Sequence, residues 1–259
     1  MEQPPSFSEV QSAAPKPPAM PLMARLMNVF AAPSEVFDDI KPRPPAVANW
    51  LVPAVLFALV GVISSIVVLS QPAIVQQFRE QQAKGMDEMV KAKKMSQADA
   101  DKAAAVYDKL SGPTMMTIGS VFITVVAFVR VLWWGLLLWL IGKILKKPFG
   151  YVKALEIFGV ASMISVLGAL VTMLLTVILG RMNATPSLVL LLNDFDITRK
   201  THFLLGTVNI IYFWQVGVLS VGVAKITGVT FMRALPLVFV CYVLTELLLI
   251  YTGLGQIAL

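Results

Sequence analysis

Arg130 and Glu246 are charged residues set in the middle of apolar stretches, Val126-Ala127-Phe128-Val129-Arg130-Val131-Leu132-Trp133 and Leu244-Thr245-Glu246-Leu247-Leu248. A guanidinium at mid-bilayer costs about 2.5–3.5 kcal/mol on insertion scales, so it faces a partner or a wet cavity. Opposite charges at matched depth are natural partners. Two roles stay open for this pair. Either it lines a pathway for a proton, an ion or an anionic solute, or it is a buried contact that fixes how two helices dock. Glu156 is the rival partner for Arg130. It lies within a turn of Lys153 near the start of its own stretch, roughly a dozen helical residues from that depth.

Other chemistry is poorly provided for. The single cysteine, Cys241, excludes an intrachain disulfide framework and a four-cysteine zinc site, and the single histidine, His202, leaves no pair for a metal. There is no glycine-rich phosphate loop and no H-E-x-x-H pair. Ser120 and His202 fall near the ends of their stretches, and Ser120 is followed by Val121-Phe122, not by a nucleophile elbow. No catalytic residue, cofactor or metal is expected, and the reading is of a protein that is not an enzyme.

The elements that must position Arg130 and Glu246 are set by composition. Hydrophobic residues make up 57% of the 259 residues, charged residues 14%, and mean hydropathy is +0.77. Soluble domains are nearer one quarter charged, so lipid is the solvent. A helix rises about 1.5 Å per residue, and roughly 20 residues cross the hydrocarbon. Five runs qualify, at about Trp50 to Ser70, Thr114 to Ile141, Ala154 to Leu179, Phe203 to Ile226 and Ala234 to Gly255. They are continuously apolar, not alternating, which excludes a barrel. The fold class is an all-α integral membrane protein with five transmembrane helices. Pro53 falls in the first turn of the first span, where its missing donor does little harm. Small residues at Ser165 and Gly168 in the third span, and at Gly217 and Gly222 in the fourth, are expected to let neighbouring helices approach closely.

Three segments flank these runs. Residues 1–45 hold ten of the sixteen prolines and no apolar signal core, so extended or disordered ends are expected around a short helix. In that helix Leu22, Met23, Leu26, Met27 and Phe30 form an apolar stripe, with Arg25 and Asn28 on the other side. Ser34 is placed to cap a second helix through Val36 and Phe37. The pair either lies on the membrane surface or packs on the spans. Residues 46–259 form the membrane domain. Within it, residues 72–112 read as an extramembrane helical hairpin, its second helix opened by Ser96 and Asp99. Its Lys91-Ala92-Lys93-Lys94 run is a solvated face or a contact with anionic lipid. Ser187 to Leu192 is too short to cross and reads as interfacial or re-entrant.

The net charge of +6 serves to orient loops in such a protein, not to bind nucleic acid. With an odd number of spans the termini lie on opposite sides. Basic residues divide equally between the two sides, but Lys143, Lys146, Lys147 and Lys153 fall within eleven residues beside two span ends. That density puts the N-terminus in the cytoplasm and the C-terminus outside.

Several short runs form a recognisable series: Asn28-Val29-Phe30-Ala31-Ala32-Pro33-Ser34-Glu35-Val36-Phe37, then Lys147-Pro148-Phe149-Gly150-Tyr151 before the third span. The series continues in Asn209-Ile210-Ile211-Tyr212-Phe213-Trp214 with Gly222 and Lys225, and in Thr227-Gly228-Val229-Thr230 before Arg233-Ala234, and Met95-Ser96 also fits. With these runs the chain resembles the Yip-one (Ypt-interacting protein) domain family in its prokaryotic form. The resemblance implies five spans, a cytoplasmic N-terminus and, here, the prokaryotic cytoplasmic membrane. Eukaryotic members of the family bind Rab-type GTPases through an N-terminal region. This N-terminus is short and lacks their aspartate-leucine-tyrosine-glycine-proline run, so Rab binding is not carried over.

Taken together, the residues and the resemblance point to a non-enzymatic membrane-organising or accessory factor. Its partners are the lipid bilayer and other membrane proteins or copies of itself. A small transporter or channel built on Arg130 and Glu246 is the alternative. Reporters fused to the two termini are expected to report opposite faces of the membrane, the N-terminal one cytoplasmic; both on one face would overturn the five-span reading.

Overall fold

The computed structural model describes residues 18–109, 113–192, 195–196 and 199–252. The proline-rich start at residues 1–17, the Leu110 and Gly112 end of the hairpin, Asn193-Asp194 and the Gly255 end of the fifth span lie outside these. The helices, in order, are α1 (Leu22–Asn28), α2 (Pro33–Ile40), α3 (Ala48–Leu69), α4 (Pro72–Lys91), α5 (Gln97–Lys109) and α6 (Pro113–Ile144). They continue as α7 (Tyr151–Ala161), α8 (Met163–Leu179), α9 (Lys200–Thr207), α10 (Ile210–Thr227) and α11 (Phe231–Thr252), with a 3₁₀ turn at Leu188–Leu191. Five helices are long and apolar enough to cross a membrane: α3, Met116–Ile144 of α6, Tyr151–Leu179 (α7 with α8), α10 and α11.

The first half of the third span, α7, is enclosed by the bundle. Every residue from Lys153 to Ala161 is buried. α3, α6 and α10 pack against it, and α11 leans mainly on α10. The helix is interrupted at Ser162, where α7 meets α8: the Ser162 hydroxyl donates to the Gly159 carbonyl at 2.6 Å while its N–H is shared between Phe158 and Gly159.

α7 and α3 cross closely at Gly159. A Cβ on Gly159 would collide with the Trp50 backbone and lie 2.6 Å from the Asn49 carbonyl oxygen. α3 begins at Ala48, so Pro53 sits in its second turn, not its first, and offers no N–H to that Asn49 carbonyl. The glycine therefore approaches the point where the helix backbone is left short of a donor. Of the expected small residues, Gly168 faces Ile211 and Gly222 faces Ile157 and Phe37, both closely enough that a Cβ would clash. Gly217 has no neighbour within contact distance of its missing Cβ, so its small size serves no close approach in this chain.

The fourth span differs from the sequence reading. Residues 203–207 belong to the separate helix α9, and the span starts at Ile210. Asn209 adopts an extended backbone and its side chain accepts the Ile211 N–H at 2.9 Å. A capped start of this kind interrupts an apolar run that hydropathy alone reads as continuous. Gly228, in the left-handed conformation at φ 74°, closes the other end.

At the end of the bundle opposite α1, the hairpin is pinned to the loop after α8. Gln77 donates to the Gly180 carbonyl at 2.8 Å and accepts the Met182 N–H at 3.0 Å, and Gln81 donates to the Phe195 carbonyl at 2.7 Å. Ser96 caps α5 by accepting the Asp99 N–H at 3.1 Å. Ser187 to Leu192 stays at this end, bridged to Asn209 through Ser187.

Gly159→Ala is expected to lower the thermal stability of the detergent-solubilised protein by an overpacking cost of about 1–3 kcal/mol, whereas Gly217→Ala leaves it unchanged. Size-exclusion profiles after graded heating check both.

Candidate functional site

Two polar constellations are held by the helices. The first lies at the end of the bundle that carries α1 and α2. Arg25 and Arg43 both pair with Asp39, at 2.9 and 2.6 Å. Arg25 also donates to the Asn49 side-chain oxygen at 3.1 Å, and the Asn49 amide donates to Glu156 Oε1 at 2.6 Å. Glu156 Oε1 accepts the Ala46 N–H as well, at 2.8 Å, and Glu156 Oε2 pairs with Lys153 Nζ at 2.7 Å. Lys153 Nζ then donates to the Ile40 and Arg43 carbonyls at 3.1 and 3.0 Å. The chain of contacts closes on itself, tying α1, α2, the link at 41–47, α3 and α7 together. Glu156 is only 1% exposed.

This arrangement revises the sequence reading of α1. Arg25 does not lie opposite the apolar stripe but is buried beside Leu26, while Met23 and Met27 are 70% and 59% exposed. The reason is that Asp39 and Asn49 together satisfy the guanidinium, which makes its inward placement cheaper than that of two methionines with no polar need. Ser34 does not cap α2; the helix starts at Pro33, with Ala32 before it and no side-chain cap. Val36, Phe37 and Ile40 are fully buried against the spans, α2 packing on α10. α2 is thus docked on the protein rather than floating on lipid. Lys225 at the end of α10 adds an ion pair to Asp38 at 2.6 Å.

The second constellation is centred on Arg130. Its Nη2 donates to Ser165 Oγ on α8 at 3.1 Å and to Gln215 Oε1 on α10 at 3.2 Å, and Ser165 donates to the same Gln215 oxygen at 2.6 Å. The guanidinium also lies over the Phe57 ring of α3 at 5.2 Å and near Phe158 of α7 at 6.0 Å, a favourable placement for a cation. One side chain thereby touches four other helices. Glu246 lies within electrostatic range of Arg130, yet no ion pair within 4.0 Å joins them among the described residues. What links α6 to α11 directly is the Trp133 indole N–H, donated to Thr245 Oγ1 at 3.1 Å. The cavity beside Arg130, lined by Ala54, Phe57, Ala127, Val131, Phe158 and Ser162, holds about 10 Å³. That is the room of a single water molecule at most.

Ser165, expected as a small packing residue, is therefore also a hydrogen-bonding one. Gln215 was not singled out from the sequence. The available signal was an amide in the middle of an apolar span, which carries the same desolvation argument as a charge at smaller magnitude. Its Nε2 is buried without a partner, because both contacts it makes use the carbonyl oxygen.

Residues 27–253 of the chain fit the family model described as the Yip1 domain. No curated protein and no solved structure matches it.

The first constellation makes a pH prediction. Burial pushes the Asp39 carboxyl up, but hydrogen bonds from Arg43, the Met20 N–H and Arg25 outweigh it and hold the group below its ordinary value. A depressed carboxyl contributes stability that is present above the ordinary value of about 3.9 and lost as pH falls through the lower, folded one. Protection of residues 20–45 from hydrogen exchange is expected to hold at about pH 5 and to fall only below the ordinary carboxylate range. Asp39→Asn, which removes the one negative charge that Arg25 and Arg43 share, is expected to lower the protection of this segment already at neutral pH.

Proposed function

The chain belongs to the Yip1 domain family, and from that premise we propose that it acts as a non-enzymatic membrane-organising or accessory factor that binds other membrane proteins or copies of itself. The observation that carries this reading is how the mid-membrane polar groups are used. Arg130 Nη2 donates to Ser165 and Gln215, the guanidinium lies over the Phe57 ring, and the space beside it is about 10 Å³. A solute pathway needs a continuous wet passage at that depth, whereas a packing hub needs close neighbours.

The membrane is proposed to be the prokaryotic cytoplasmic membrane, with the N-terminus inside and the C-terminus outside. The density of lysines between Lys143 and Lys153 supports this orientation. The division into an N-terminal segment and a five-span domain is proposed to be functional as well, with α1 and α2 presenting the cytoplasmic face of the bundle.

The competing reading is transport along Arg130 and Glu246, and solvent access separates the two. In a Cys241→Ser background, single cysteines at Ala127 and Val131 are expected to resist a membrane-impermeant maleimide from both sides. Labelling from either side would favour a pathway and remove the main support for a scaffold. Co-purification in mild detergent with mass spectrometry is expected to return a reproducible membrane-protein partner or a homo-oligomer.

A further inference from the structure

Five exposed cations at the α1–α2 end of the bundle have no carboxylate partner among the described residues: Lys41, Lys143, Lys146, Lys147 and Arg233. The acids at this end are already engaged. Asp39 holds Arg25 and Arg43, Glu156 holds Lys153, and Asp38 holds Lys225. Glu35 is the one described carboxylate left over here. The excess is local and large.

Its depth is that of lipid headgroups. The apolar part of α6 spans 29 residues, about 43 Å at the helical rise, which exceeds a hydrocarbon core of about 30 Å and carries its last turn out of the oil. There the Lys143 ammonium sits 3.7 Å from the centre of the Trp139 ring, an aromatic of the kind that marks the interface. Arg233 is flanked by Met232, 75% exposed, and Phe231, 37% exposed, so that it too stands next to lipid-facing apolar atoms. The end of α6 turns sharply. Lys146 takes the left-handed conformation at φ 54°, the Lys147 N–H returns to the Gly142 carbonyl at 3.0 Å, and Lys146 bonds Lys143 in the same way. This cap sets Lys143, Lys146 and Lys147 within five residues at the end of α6. The α6 dipole accounts for about half a charge there, far less than three lysines supply.

We propose that this rim binds the phosphate of anionic phospholipids, phosphatidylglycerol being the probe of choice, and that it is the lipid-selective surface of the protein. The hairpin run at Lys91 is the contrasting case. Lys91 is paired with Glu88 at 3.1 Å, and the seven basic residues of the hairpin stand against six acidic ones along residues 71–113, so acids of the same segment balance most of its charge.

Native mass spectrometry of the full chain in detergent, titrated with phosphatidylglycerol or phosphatidylcholine, tests this. The wild type is expected to retain phosphatidylglycerol in preference to phosphatidylcholine. Lys143→Gln/Lys146→Gln/Lys147→Gln is expected to weaken that retention about fivefold per lysine removed, and the corresponding triple arginine variant to keep it. Lys91→Gln/Lys93→Gln/Lys94→Gln is expected to bind as the wild type does. Equal retention of the two lipids by the wild type overturns the proposal without recourse to any variant. So does a glutamine rim that binds unchanged, a hairpin variant that loses as much, or displacement of the lipid by millimolar inorganic phosphate, which would make a free anion the ligand.

Discussion

Glu156 is the residue on which the N-terminal half of this molecule depends. It is almost wholly removed from solvent, and its two oxygens are divided between Lys153, Asn49 and the Ala46 N–H. An unmatched carboxylate at the edge of the hydrocarbon would be expensive, and the same holds for each of its partners. The requirement propagates outward. Asn49 needs Arg25, Arg25 needs Asp39, and Asp39 takes Arg43, until two short helices with little intrinsic tendency to persist in isolation are fastened to the bundle. Phe37, Val36 and Ile40 then bury their side chains against the spans, so apolar packing and polar matching favour the same placement.

The core of the membrane domain follows a different rule. Lipid chains are as apolar as leucine, so helices associate there through close approach and through polar contacts. Gly159, Gly168 and Gly222 provide the approach. Arg130 provides the polar contact, reaching α3, α7, α8 and α10 from α6. α11 stands somewhat apart, held to α6 by Trp133 and Thr245 and to α10 by the packing of Phe213, Phe239 and Tyr242. Glu246, carried on this helix, makes no ion pair with Arg130 among the described residues.

The two ends of the bundle are chemically unlike. One bears a docked helix pair, a closed ionic chain and surplus cations. The other bears a helical hairpin with acids and bases intermixed, bonded through glutamines to loop carbonyls.

Much of this body was legible in the linear chain. Continuous apolar runs of span length, proline and glycine at their borders and a charged linker were enough to require five membrane-crossing helices and a hairpin, because lipid leaves the backbone no other way to satisfy itself. The desolvation cost of Arg130 likewise marked it as needing partners before any were known. Which partners it takes was decided by the tertiary structure. Ser165 and Gln215 lie on helices distant in sequence, and depth matching pointed to Glu246 because depth is all that a sequence reports. The start of the fourth span at Ile210, the inward turn of Arg25 and the closed chain through Glu156 also depend on contacts across the bundle. Periodicity registers how apolar a position is. It does not register whether a charge, once buried, will find its counterpart.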